Sequence, residues 1–81
     1  METRVALIGV IVEQTDCWEK LNAVLHDYSA YIISRMGVPY KEKDVCIISV
    51  AVDAPNDVIN ALSGKIGRLP GVTAKTIYSH V

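Results

Sequence analysis

The chain has no phenylalanine, a single tryptophan and only two cysteines among its 81 residues. Two cysteines, with no Cys-x-x-Cys and no His-x-x-x-His spacing, exclude a disulfide framework and the usual signature of a closed metal site. In a reducing cytosol both remain thiols. Charge of one sign is nowhere concentrated. Arg4, Lys20, Arg35, Lys41, Lys43, Lys65, Arg68 and Lys75 are spread along the chain, and eight basic against nine acidic residues leave a formal charge of -1. A nucleic-acid footprint needs a clustered basic face, so no direct nucleic-acid partner is expected. No apolar run approaches the roughly 18–20 residues of a membrane span. Arg4 is the one basic residue before the first apolar run, and no small-residue cleavage site follows it, so no secretory leader is read. The expected compartment is the cytoplasm, without a membrane partner. Repeats, linkers and low-complexity segments are absent, and the length fits one domain spanning residues 1–81.

What is present is apolar in an unusual way. Val5-Ala6-Leu7-Ile8-Gly9-Val10-Ile11-Val12 carries no polar side chain, and Val45-Cys46-Ile47-Ile48-Ser49-Val50-Ala51-Val52 nearly repeats it. A strand shows alternate residues to opposite faces of its sheet, so a run apolar at both parities calls for two dry faces. A chain this short buries only roughly 60–65% of its unfolded surface and has no spare loop to cover a second face. Self-association is therefore expected before any chemistry is considered.

Between these runs, Trp18, Leu21, Val24, Leu25 and Tyr28 recur at intervals of three and four, with Glu19, Lys20, Asn22 and Asp27 largely opposite. That spacing predicts an amphipathic helix over about 16–29, opened by Asp16 and Glu19 as a capping box, or by Thr15. Tyr31–Val38 reads as a second strand, irregular near Gly37 and at an edge of the sheet because Pro39 cannot donate to a ladder. Tyr40–Asp44 is a charged turn. Pro55 opens a second helix to about Gly67, with Val58, Leu62 and Ile66 four apart. Gly64 inside it costs roughly 1 kcal/mol relative to alanine, which a close approach of another element would explain. Leu69-Pro70-Gly71 is a turn, and residues 72–78 form the last strand. The order β-α-β-β-α-β predicts a ferredoxin-like α+β domain: a four-stranded antiparallel sheet with two helices on one face.

Chemistry-bearing motifs are few. Ser63-Gly64-Lys65-Ile66-Gly67 resembles part of a phosphate loop, but it lies late in a helix and Ile66 stands where Ser or Thr is needed. The fold also hosts metallochaperones and acylphosphatases. Neither the paired cysteines of the first nor the glycine-rich arginine loop of the second follows the first strand here. A metal would require Cys17, His26, Cys46 or His80 to converge across a subunit boundary, and no cofactor is expected. With few histidines and no nucleophile–base ordering, an enzyme is not expected. The segment Arg35-Met36-Gly37-Val38-Pro39-Tyr40 is the best polar candidate, an arginine in an irregular strand able to hold an anion at a subunit boundary.

Arg35-x-Gly37-x-Pro39, then Asp57-x-Ile59-x-Ala61-Leu62-Ser63-Gly64-Lys65-Ile66-Gly67, then Pro70-Gly71-Val72, resembles the iron-only hydrogenase system regulator family over nearly the whole chain. That family is similar to ACT domains and to the C-terminal sensing domain of nickel-responsive repressors. The resemblance implies a non-enzymatic regulatory module, a homo-oligomer (dimer or tetramer) that senses a small effector at subunit boundaries or binds a partner in the iron-only hydrogenase system. The alternative readings are a ligand-free interaction or scaffold protein and a metal-sensing domain. Arg35, Gly37, Pro39, Ser63, Gly64 and Lys65 are its candidate ligand-binding residues. The glycine that amino-acid-binding ACT domains carry after the first strand is replaced by Glu13-Gln14-Thr15-Asp16. The ribbon-helix-helix segment of the repressors has no counterpart, so direct repression is not implied.

Overall fold

The computed structural model describes residues 2–13 and 18–80. Four strands, β1 (Arg4–Val12), β2 (Ile32–Tyr40), β3 (Val45–Ala54) and β4 (Val72–Tyr78), alternate with two helices, α1 (Trp18–Asp27) and α2 (Asn56–Gly67). They form one antiparallel sheet in the order β2-β3-β1-β4. The two apolar runs are thus the two central strands. They pair directly, from Arg4 opposite Ala54 to Val12 opposite Cys46.

Parity decides what each central strand buries. Ala6, Ile8, Val10 and Val12 of β1, with Cys46, Ile48, Val50, Val52 and Ala54 of β3, turn toward the helices and form the core. Leu21 and Leu25, one turn apart on α1, and Ile59, Leu62 and Ile66 on α2 close over them. The periodicity of three and four puts these side chains on one stripe of each helix, as the sequence predicts. The opposite parity of β1 and β3 faces away from both helices.

The irregularity of β2 and the surroundings of Gly64 differ from expectation. The capping residues Thr15 and Asp16 lie outside the described residues, and α1 is described from Trp18 to Asp27. On β2 the register breaks between Ile32 and Ser34, whereas Gly37 pairs in register with Ile48. The irregularity sits where the chain leaves the short 3-10 turn Ser29–Tyr31, not at the glycine. Pro39 does lie on an edge strand, which extends through Tyr40. Gly64 has no close neighbour to explain it: a Cβ there would meet only the tip of Arg68, at 3.8 Å.

The ends of α2 and the last strand are tied locally. The Val58 and Ile59 amides both donate to the Pro55 carbonyl at 3.0 Å, so proline caps α2 from just outside it. After α2, Gly71 adopts φ 72°, a left-handed turn that favours glycine, and the Val72 amide donates to the Leu69 carbonyl at 3.2 Å. Beyond β4, Arg4 donates to the Ser79 carbonyl at 2.8 Å and lies over the Tyr78 ring at 5.1 Å, fastening the C-terminal segment to β1.

Candidate functional site

The helix side of β2 carries the polar candidates. Arg35, Gly37 and Pro39 pair with Val50, Ile48 and Cys46, whose side chains all point into the core, so the three share the face on which the helices lie. That face is less covered at the sheet edge, and all three are exposed. A shallow cleft of about 440 Å³ opens between α1 and β2, lined by Asn22, Leu25, His26, Ser29, Ile32 and Arg35. Leu25 and Ile32 give it an apolar floor. Asn22, His26, Ser29 and Arg35 give it a polar rim. Arg35 donates from Nη2 to Asn22 Oδ1 at 2.9 Å. A guanidinium has five N–H donors, and one such contact leaves most of them free for a planar anion.

The sequence offers His26 only as a possible metal ligand, and it does not group Asn22 or Ser29 with Arg35. The spacing of four and three in Asn22, His26 and Ser29 places them on one stripe of α1 and the turn that follows it, next to the buried stripe. The signal was present, but only the docking of α1 beside β2 gives it meaning.

The remaining candidates diverge. Ser63 faces β4, its hydroxyl 2.9 Å from that of Thr76. Lys65 reaches the end of α1, its Nζ 5.0 Å from the centre of the Tyr28 ring. Gly64 lies beside Arg68. Ser63, Gly64 and Lys65 therefore do not line the Arg35 cleft. Ser63 and Thr76 tie α2 to β4 through a half-buried hydrogen bond. Ser63→Ala should lower stability by about 1 kcal/mol in urea unfolding, the usual net worth of such a bond. Among the described residues no three His, Cys, Asp or Glu side chains cluster as metal ligands, and Cys17 lies outside them. Cys46 is a buried free thiol.

The largest apolar surface is the sheet face turned away from the helices. Val5, Leu7 and Ile11 of β1 are exposed there, with Ile47 of β3 and Ile77 of β4. Met36, Val38 and Tyr40 of β2 join them, since they pair with Ser49, Ile47 and Val45 of the same parity. No helix or loop of the described residues lies over this face.

Two helices on one face of a four-stranded antiparallel sheet, in the chain order βαββαβ, define a ferredoxin-like α+β domain. Residues 4–76 match the TM1266-like family, described as "Iron-only hydrogenase system regulator, putative", and the chain belongs to that family. It is similar to the uncharacterized protein TM1266 from Thermotoga maritima at 35% identity, with a TM-score of 0.91, over 95% of this chain and 98% of that one. An unknown protein from Galdieria sulphuraria shares the fold at 21% identity and a TM-score of 0.65, over 99% of this chain and 48% of that one. A formyltetrahydrofolate deformylase from Pseudomonas putida KT2440 does so at 10% identity and a TM-score of 0.64, over 90% of this chain and 28% of that one. These last two likenesses concern the fold alone. No curated protein matches the chain in sequence. Among the described residues no helix is long and apolar enough to cross a membrane.

Proposed function

We propose that this domain is a non-enzymatic, ACT-like regulatory module of the iron-only hydrogenase system, acting in the cytoplasm as a homo-oligomer and responding to a small anionic effector. The observation that carries the reading is the exposed apolar sheet face. It sits on the central strands, and no element among the described residues covers it. Membership in a family of regulators supports the regulatory half. The α1–β2 cleft supports the sensing half: Arg35 and the rim of Asn22, His26 and Ser29 suit a carboxylate or phosphate, and the Leu25–Ile32 floor suits a short carbon skeleton.

A thermal-shift series tests the sensing half directly. A panel of small carboxylates and phosphate esters, each at millimolar concentration, should include compounds that raise the melting temperature. Arg35→Ala should weaken binding of those compounds about tenfold or more, the usual effect of losing a hydrogen-bonded charge. Arg35 is exposed, so the variant should fold normally. No stabilisation by any compound, or equal stabilisation of wild type and variant, contradicts an effector site at this cleft.

A further inference from the structure

The open sheet face has an internal pattern that says how a second copy would sit on it. Read across the sheet from β4 to β2, one row is Ile77, Leu7, Ala51 and Ser34. The next is Lys75, Gly9, Ser49 and Met36, and the third is Thr73, Ile11, Ile47 and Val38. Gly9 and Ser49 are cross-strand partners on the two central strands of the middle row. Two of the smallest side chains of the face therefore stand at its centre, with Leu7 above and Ile11 and Ile47 below.

Gly9 is not needed by the protomer. Its Cβ would meet nothing nearer than the Lys75 carbonyl oxygen at 3.9 Å, an ordinary contact, and its φ is not in the left-handed region. A glycine inside a central strand weakens that strand and marks a place where something approaches closely. Nothing among the described residues of the protomer does so. The exposed parts of Val5, Leu7, Ile11, Met36, Val38, Tyr40, Ile47 and Ile77 add up to about 700 Å², close to the roughly 800 Å² per partner of a standard stable interface.

We propose that this face packs against the same face of a second copy, on a two-fold axis that runs along the strands and passes between Gly9 and Ser49. The proposal rests on the self-association read above and adds its geometry. An isologous contact between two sheet faces requires the axis to lie in the plane between them. Sheets packed in this way keep their strands within about 30° of one another. An axis along the strands sets each row against the same row of the partner, reversed. Leu7 then meets the partner's Ala51, Gly9 the partner's Ser49, and Lys75 the partner's Met36. An axis across the strands would instead set Lys75 against the partner's Lys75, two like charges at a desolvated boundary.

Sedimentation velocity over a concentration series, with far-UV circular dichroism as the check on folding, tests both parts. Gly9→Phe should keep the wild-type spectrum and raise the dissociation constant roughly tenfold to a hundredfold, because a ring at the centre holds the sheets apart. Met36→Glu should leave association unchanged or tighten it against the partner's Lys75. Met36→Lys should weaken it at least several-fold. A wild-type dimer with Gly9→Phe equally dimeric overturns this geometry while leaving self-association standing. Equal weakening by both Met36 variants overturns the direction of the axis. A wild type that is monomeric throughout removes self-association itself. If Gly9→Phe does not fold, Gly9→Val is the substitute, with the same expected direction and the same contradicting result.

Discussion

Ile47→Asp should turn the proposed oligomer into a folded monomer. In the protomer Ile47 is 45% exposed and lies between Ile11 and Val38 in a continuous aliphatic row of the open face. In the proposed dimer, two-fold symmetry places every substitution in the interface twice. Losing the burial of about 80 Å² of isoleucine in each copy removes about 2 kcal/mol per side at about 25 cal/mol per Å². The two carboxylates must also be desolvated, or must keep water in the interface, which costs several kcal/mol more. A loss of this size weakens association by about a thousandfold or more. The side chain points away from the core, so the far-UV spectrum should be unchanged. Sedimentation velocity reads the result, and an Ile47→Asp particle of wild-type size contradicts it.

The second large effect lies on the other side of the same sheet. Leu62→Ala should lower stability by about 2–5 kcal/mol, the range for deleting a fully enclosed aliphatic side chain. Leu62 is 1% exposed, between Ile59 and Ile66 on the buried stripe of α2. A domain of this size has only about 5–10 kcal/mol of total stability, so the loss is a large share of it. The urea midpoint should fall accordingly with the slope unchanged, and the melting temperature should drop by about 10 °C or more. Ile77→Ala is the contrast. Its side chain is 68% exposed on the open face, so in the monomeric protomer the cost should stay within about 0.5 kcal/mol. Whatever larger loss it shows at high concentration measures the interface.

Much of this architecture was legible in the residues. Runs that are apolar at both parities mark strands at the centre of a sheet, and β1 and β3 are the central pair. The intervals Leu21–Leu25 and Ile59–Leu62–Ile66 gave the helix faces, which the core repeats. The irregularity of β2 was misplaced because glycine is the usual local marker of a bulge. The break at Ile33 is set instead by how the turn after α1 delivers the chain to the edge of β3, which no single residue announces. Gly64 suggested a close approach and meets none.

The candidate site was legible only in part. Arg35 was found because an arginine beside glycine and proline in an edge strand stands out. Its neighbours Asn22, His26 and Ser29 come from another element, and their relation to Arg35 exists only after docking. Ser63, Gly64 and Lys65 looked like one group because they are consecutive. Consecutive residues on a helix point about 100° apart, so Ser63 joins β4 while Lys65 turns to Tyr28. Contiguity in a helix separates side chains that contiguity in a loop would gather.

Light scattering on the untagged wild type at low micromolar concentration reaches the central claim most directly. If the aliphatic surface opposite the helices is shielded by another copy, the particle has at least twice the protomer mass of 8.9 kDa, and the mass falls only on strong dilution. A well-folded particle of 8.9 kDa at every concentration contradicts the account.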